Sequence, residues 1–143
     1  MNLEFRKCLE RRSLVKAEAD KGIISSEIKT AEYDLERAVK SLEQGDFKWA
    51  AVQAYYCIFH SSKALVYIKG YKERSHYCLL VAFKYLYCDS GEMDPSLSEI
   101  FENAMNLREE ADYEMKFSEE AAEAVVINAR KFLEAGKSVL KCR

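Results

Sequence analysis

The sequence predicts an all-α fold, an antiparallel up-and-down bundle of five to six helices. Three observations predict it: apolar residues recur at helical spacing, no stretch alternates as a strand would, and the five glycines and one proline fall almost entirely at breaks. With 143 residues, the chain is long enough to bury a core. We therefore expect a single domain over residues 1–143.

The breaks divide the chain into six helical segments. The first four are expected at roughly 2–19, 26–44, 47–69 and 75–88. Lys21-Gly22 should end the first of them. Asp94, followed by Pro95 at the first helical position, opens the fifth helix, and Ser118 caps the last. The third segment is apolar on almost every side, so we expect it to be the central helix.

Charge and composition exclude some classes of function. The chain has 22 basic and 24 acidic residues and a net charge of −2. This argues against a strongly basic nucleic-acid-binding surface but leaves a local basic patch open. No run approaches about 18 apolar residues, so we expect no membrane span. The N-terminal segment lacks the apolar region of a signal peptide, so we expect a cytoplasmic protein.

The cysteines and histidines give no motif for a metal or a cofactor. Cys8, Cys57, Cys78, Cys88 and Cys142 form no C-x-x-C pair, and their number is odd. We expect them to be free, buried thiols in a reducing compartment. Two histidines cannot form a histidine-rich metal site, and Gly-rich phosphate loops and hydrolase motifs are absent. We therefore expect no metal and no cofactor.

A polar stripe crosses the otherwise apolar third helix. Its members are spaced so that they share one helical face: Gln53, Tyr56, His60, Lys63 and Tyr67. Together these side chains can donate and accept hydrogen bonds, stack on a base or hold a phosphate. The alternative is that the stripe is only the most solvated face of a buried helix.

Two further segments are candidates for the same site. Ser75-His76 begins the fourth helix, where His76 is either a buried imidazole bonded to a neighbouring helix or a group lining a groove, with a pKa movable across neutrality. Arg108, Asp112 and Tyr113 end the fifth helix. Arg108 either forms a surface ion pair with Asp112, four residues on, or borders a cleft and grips a phosphate bidentately.

Three segments together resemble the HEPN family, named for nucleotide binding in higher eukaryotes and prokaryotes. They are Ala54–Leu65 (AYYCIFHSSKAL), Gly70 with Ser75-His76, and Leu107–Tyr113 (LREEADY). The similarity spans roughly residues 26–140 and matches short, stand-alone prokaryotic members best. It implies a helical bundle and a homodimer that places two copies of a cleft face to face. In many members it also implies a minimal nucleotidyltransferase partner in a toxin–antitoxin pair.

The resemblance also bears on catalysis, because ribonuclease members carry an Arg-x4–6-His motif that cuts RNA without a metal. By this resemblance Arg108 occupies the arginine position, and the histidine should fall at residues 113–115. Those positions hold Tyr113, Glu114 and Met115. The expected general acid–base is therefore missing from its place. His60 or His76 can replace it only if the fold or a dimer brings one of them to Arg108.

The sequence supports three hypotheses. The first is a HEPN-type nucleotide- or RNA-binding module, the partner of a minimal nucleotidyltransferase. Its predicted binding residues are Arg108, Asp112, Tyr113, His60, Lys63, Tyr56, Ser75 and His76. The second is a metal-independent ribonuclease toxin, with Arg108, His60 and His76 as catalytic candidates. The third is a dimeric structural adaptor whose groove accepts a partner helix.

Overall fold

Six α-helices and two short strands make up the described part of the chain. The computed structural model describes residues 2–113 and 118–141, with side chains through residue 110 and again from residue 118. The helices are α1 (Leu3–Glu10), α2 (Lys21–Glu43), α3 (Phe47–Ile68), α4 (His76–Phe83), α5 (Ser96–Tyr113) and α6 (Glu119–Lys141), and the strands are β1 (Leu14–Lys16) and β2 (Tyr71–Glu73). The predicted all-α bundle is confirmed, with a small sheet added. Within the described ranges, none of the helices has the length and apolar character needed to cross a bilayer.

The chain between α1 and α2 differs from the prediction. The helix expected over residues 2–19 ends at Glu10, and Arg12 then takes a left-handed conformation with φ 59°. The next residues form β1, which pairs antiparallel with β2, Leu14 lying opposite Glu73. The expectation that the chain has no strand is therefore wrong. Strands of three residues are too short for an alternating pattern to be visible in the sequence.

Capping side chains set where the helices begin. α2 starts at Lys21-Gly22, the point where the first helix was expected to end, because the Asp20 carboxylate caps it and accepts a hydrogen bond from Gly22 N at 2.7 Å. The predicted caps at Asp94 and Ser118 are confirmed. Their side chains accept backbone hydrogen bonds from the first turns of α5 and α6 at 2.9 and 3.3 Å.

α3 is the centre of the fold, as predicted. It packs against α2, α4, α5 and α6 and buries most of its circumference, including Tyr55, Ile58 and Leu65. Burying an aliphatic side chain such as Ile58 or Leu65 contributes about 1.5–3 kcal/mol to stability. Trp49, in the first turn, is the exception and stays 51% exposed.

The fourth helical segment changes its geometry part-way. α4 ends at Phe83, and a π-helical turn over Lys84–Cys88 completes the stretch predicted as one helix at 75–88. Tyr87 is buried in this turn and donates a hydrogen bond from its hydroxyl to the Leu65 carbonyl of α3. The turn is therefore tied to the central helix rather than left at the surface.

A disulfide corrects the expectation of free thiols at two of the cysteines. Cys8 of α1 and Cys78 of α4 are bonded, with their Cα atoms 5.8 Å apart. They are 70 residues apart in sequence, so only folding brings them together and their spacing carries no signal. Cys57 and Cys88 are free and buried, as expected, and burial raises the pKa of Cys57 to about 12. Cys142 lies outside the described residues.

Removing this disulfide should destabilise the fold. Replacing Cys8 and Cys78 by serine frees a long loop in the unfolded chain and should lower the free energy of unfolding by about 4 kcal/mol. Urea unfolding of both proteins without reductant measures this difference. A thiol reductant should lower the wild-type midpoint to that of the double variant and leave the variant unchanged. Equal midpoints without reductant would contradict the pairing.

Candidate functional site

Arg108 of α5 lies over two tyrosine rings of α3. Its guanidinium carbon is 5.5 Å from the ring centroid of Tyr55 and 5.7 Å from that of Tyr56. Phe101, two turns earlier on the same face of α5, packs with its ring centroid 6.3 Å from that of Tyr55 and holds α5 against α3. Contacts of a cation with aromatic faces contribute about 0.5–2 kcal/mol. The half-buried guanidinium is therefore held in place before any ligand arrives.

His76 begins α4 and faces the same tyrosine. Its Nδ1 atom is 2.5 Å from the Tyr55 hydroxyl, and its ring stacks on Phe59 with centroids 4.3 Å apart. Ser75 supports this position, because its hydroxyl caps the first turn of α4 with a 3.0 Å hydrogen bond. Tyr55 therefore joins Arg108, through its ring face, to His76, through its hydroxyl. We call these three residues the Arg108–Tyr55–His76 cluster.

Burial and charge set the protonation states in this cluster. Burial lowers the pKa of His76, the cations Arg108 and Lys63 lower it further, and Glu109 opposes them. Burial also raises the pKa of the Tyr55 phenol. At neutral pH the imidazole is therefore neutral and the phenol is protonated. A phenol that donates to Nδ1 leaves the imidazole proton on Nε2.

His60 and Lys63 of α3 belong to an ionic cluster with α2. His60 Nδ1 is 2.6 Å from Glu27 Oε2, and His60 Nε2 is 3.9 Å from Asp34 Oδ2. Lys63 Nζ is 3.3 Å from Glu27 Oε1. Each of these four side chains, the α2–α3 ionic cluster, is at most 25% exposed. No group of three or more acidic, histidine or cysteine side chains in the described ranges is arranged to hold a metal ion.

The pKa values of the two carboxylates in this cluster are shifted in opposite directions. Burial alone would raise the pKa of Glu27, but hydrogen bonds and charge from His60 and Lys63 outweigh it, and the pKa is lowered. Burial raises the pKa of Asp34 against the opposing charge of His60. Glu27 therefore stays ionised at neutral pH and offsets the charge of Lys63. A phosphate at Lys63 would have to compete with that carboxylate.

Phe59 connects the two clusters. Its ring centroid lies 5.4 Å from that of His60, in addition to its stacking on His76. Lys63 Nζ lies 5.6 Å from the centroid of the same ring. Tyr56 also reaches both histidines, with its ring centroid 6.3 Å from each of theirs. The structure therefore brings both histidines and the lysine to one continuous site, which runs from α5 across α3 to α2.

The two ends of the predicted polar stripe have other contacts. The Gln53 amide lies 2.7 Å from Ser41 Oγ, between α3 and α2. Tyr67 lines a small cavity of about 90 Å³ next to Lys63. The middle of the stripe belongs to the site, whereas Gln53 is tied to α2.

The end of α5 is described only in part. Asp112 and Tyr113 are in the helix, but their side chains lie outside the described residues, and so does the predicted Arg108–Asp112 ion pair. Glu114 and Met115 also lie outside the described residues. The contacts of Arg108 that the structure describes are those with the tyrosine rings of α3.

Sequence reasoning missed four members of the site. They are Tyr55, Phe59, Glu27 and Asp34. The first two were counted as core, which they are, but Tyr55 carries a hydroxyl that reaches His76. The two acids lie on either side of Ala31 along the packing seam of α2, at i−4 and i+3. Acids beside a buried seam are a signal that could have pointed to a polar partner on α3.

Comparison with known protein families assigns the chain to one of them. The family model of the HEPN domain matches residues 25–139. The chain belongs to the HEPN domain family. The resemblance expected over roughly 26–140 is thereby confirmed, and the site described above lies within the matched range.

Proteins from two organisms are similar to this HEPN chain. "Putative toxin MJ0605" of Methanocaldococcus jannaschii is 33% identical over 119 residues, covering 82% of this chain and 89% of the relative. "Putative toxin MJ0142" of the same organism is 30% identical over 115 residues, covering 74% of this chain and 78% of the relative. "UPF0332 protein PH1297" of Pyrococcus horikoshii is 34% identical over 68 residues, 48% of each chain.

The lowered pKa of His76 gives a test of the cluster. Replacing Arg108 by glutamine removes a cation that disfavours the imidazolium, so the His76 pKa should rise. Histidine NMR signals followed through a pH titration measure it, with Lys131→Gln, a neutralised exposed lysine on α6, as the control. An unchanged His76 titration in Arg108→Gln would contradict the described geometry.

The same shift has a consequence for stability. The folded-state pKa lies below the ordinary value of 6.5, so the unfolded chain binds the proton more readily. Neutral His76 makes its full contribution to the free energy of unfolding above pH 6.5. This contribution is lost as the pH falls from 6.5 towards the folded-state pKa.

Proposed function

We propose that this HEPN protein is a nucleotide- or RNA-binding module and the toxin-like member of a pair with a minimal nucleotidyltransferase. The observation that carries this proposal is the guanidinium of Arg108, held over Tyr55 and Tyr56 beside a neutral His76. A planar cation next to aromatic faces and an imidazole fits a phosphate joined to a base.

Each part of a nucleotide has a suitable contact at this site. The fork of N–H groups on Arg108 matches two phosphate oxygens. Tyr56, which is half-buried, offers an aromatic surface on which a base can stack. His76 Nε2 can donate to a phosphate or a ribose oxygen. Phosphate binding is therefore assigned to the Arg108 end of the site.

The opposite end of the site is suited to polar recognition. There His60 and Lys63 are already paired with carboxylates of α2. Such a cluster can accept hydrogen bonds from a base and donate to one, but its acids repel a phosphate. We therefore assign the α2–α3 ionic cluster to base or sugar contacts.

The toxin-like role and the partner rest on similarity. Two relatives carry "Putative toxin" in their names, and the family resemblance implies a homodimer and a minimal nucleotidyltransferase partner. A homodimer would present two Arg108 sites to one RNA. A cytoplasmic location is part of the same proposal, since RNA would be met there.

Losing the Arg108 guanidinium should weaken nucleotide binding. We expect Arg108→Ala to lower affinity for mononucleotides and for short single-stranded RNA about tenfold or more, because a charge-assisted hydrogen bond contributes about 1.5–3 kcal/mol. Arg108→Lys should restore part of it. Calorimetry measures the mononucleotides and fluorescence anisotropy the RNA. Arg6→Ala, an exposed arginine paired with Glu10 on α1, is the matched control and should bind as the wild type does. Equal affinities for all four proteins would favour the purely structural adaptor.

A metal-independent ribonuclease is the second candidate, and the Arg108–Tyr55–His76 cluster favours it. The structure links a histidine to the arginine through one shared tyrosine, although the motif's own histidine position is filled by other residues. In the tautomer whose proton is on Nδ1 and is donated to the Tyr55 hydroxyl oxygen, His76 Nε2 carries the free lone pair that a general base needs to remove a proton from a ribose 2′-hydroxyl. In this role Arg108 would stabilise the charge that develops on the phosphate.

Cleavage of RNA in the presence of EDTA tests this second candidate. His76→Asn should lower the rate by about a hundredfold or more while RNA affinity changes little, because a general base contributes roughly 10²–10⁴-fold. Lys131→Gln, an exposed position on α6 outside both clusters, is the control and should retain activity. The wild-type rate should fall as the pH drops through the lowered His76 pKa. If the wild-type protein leaves RNA intact, the ribonuclease hypothesis is wrong, and the binding-module hypothesis is unaffected.

A further inference from the structure

A long groove runs along the surface between α2 and α6. Two neighbouring depressions of about 490 and 410 Å³ form it, and both are lined by Glu32 of α2 and Lys137 of α6. The Lys137 Nζ atom is 2.9 Å from Glu32 Oε2, so an ion pair crosses the groove at its middle. The floor is apolar along its length: Ile24, Ile28, Leu35, Val39, Leu133 and Leu140. We call this surface the α2–α6 groove.

The groove is separate from the nucleotide site. None of the residues lining it belongs to either cluster described above. Two large apolar side chains on the same two helices are also exposed: Tyr33 of α2 is 61% exposed, and Ile127 of α6 is 56% exposed.

The two ends of the groove carry different charge. At one end three lysines line it, namely Lys21, Lys29 and Lys141, and none of them forms an ion pair with another described residue. At the other end charges of both signs are mixed, and Lys40 pairs with Glu36 at 3.5 Å. A stable occupant therefore needs negative charge at the lysine end and little net charge at the other.

The shape of the groove points to a helix as occupant. α2 has 23 residues, so the groove extends over about 30 Å, the length of a helix of about five turns. Neither α2 nor α6 offers unpaired backbone groups along this face. An incoming segment must therefore satisfy its own backbone hydrogen bonds while it lays an apolar stripe into the floor.

We propose that the α2–α6 groove binds an acidic amphipathic helix of a different protein, with the carboxylates of that helix over Lys21, Lys29 and Lys141. A second copy of this chain fits less well, because a two-fold contact would place the other end of the groove on the three lysines. That end has three acids, Glu36, Glu43 and Glu134, against two bases, Lys40 and Arg130, so its net negative charge is small. RNA also fits less well, since the apolar side chains of the floor can neither form hydrogen bonds with a phosphate backbone nor neutralise its charge. The proposal is independent of nucleotide binding at Arg108.

A designed peptide tests the charge and the apolar floor together. The probe is a fluorescent amphipathic helix of about 20 residues, with leucines at i, i+3, i+4 and i+7 and glutamates in two turns at one end. The control peptide has lysines in place of the glutamates. Anisotropy with the full chain at low salt should show binding of the glutamate peptide and at least about tenfold weaker binding of the lysine peptide.

Charge-reversed variants of the protein show whether the peptide binds in the groove. Lys29→Glu/Lys141→Glu should weaken the glutamate peptide about tenfold or more, whereas Lys7→Glu/Lys131→Glu makes the same charge change outside the groove and should alter it little. Arg108→Ala should leave peptide binding unchanged.

Four results would overturn the proposal. They are absence of peptide binding, equal binding of both peptides, equal effects of the two double variants, and a groove occupied by something else. Sedimentation of the protein alone, with and without the Lys29→Glu/Lys141→Glu change, detects a second copy as the occupant. Loss of RNA binding in that variant would reveal RNA there instead.

Discussion

The burial of α3 on nearly every side constrains the rest of this structure. A helix surrounded by α2, α4, α5 and α6 draws the partners of its larger polar side chains from those neighbours, whereas the buried hydroxyl of Ser61 bonds to a carbonyl of α3 itself. Those partners come from three different helices. Glu27 and Asp34 come from α2, His76 from α4 and Arg108 from α5. The site therefore arises where the polar edge of the central helix has to be satisfied.

The distribution of charge around α3 is compatible with the proposed anion site, although the chain is acidic overall. The net charge of −2 is distributed unevenly around α3. At the α2 side, carboxylates compensate His60 and Lys63 within hydrogen-bonding distance. At the α5 side, Arg108 is held by uncharged rings, which position the guanidinium without cancelling its charge. Among the described residues, Arg108 contacts uncharged rings, whereas Lys63 is paired with Glu27, and this difference supports the proposal that a phosphate binds at Arg108.

Whether the sequence could predict a feature depends on how far apart along the chain the interacting residues lie. Helical periodicity and caps such as Asp94 and Ser118 involve residues close together in sequence. The sequence could therefore predict the helices, the central position of α3 and the polar stripe on α3. The resemblance brought Arg108 and His76 into one hypothesis. The link between them through Tyr55 was not readable, because it depends on how α4 and α5 pack. The same holds for the Cys8–Cys78 bond and for Leu14 opposite Glu73, which join residues far apart along the chain.

The histidine that faces Arg108 therefore comes from a different helix than the family motif implies, and this changes what the site depends on. A motif histidine a few residues from its arginine is positioned by its own helix. His76 is positioned by the start of α4, and the disulfide two residues on, at Cys78, ties that start to α1. Its separation from Arg108 is set by the packing of Tyr55 between the two helices. The geometry of this site is thus a property of the whole bundle, and α1, although distant in sequence, helps to determine it.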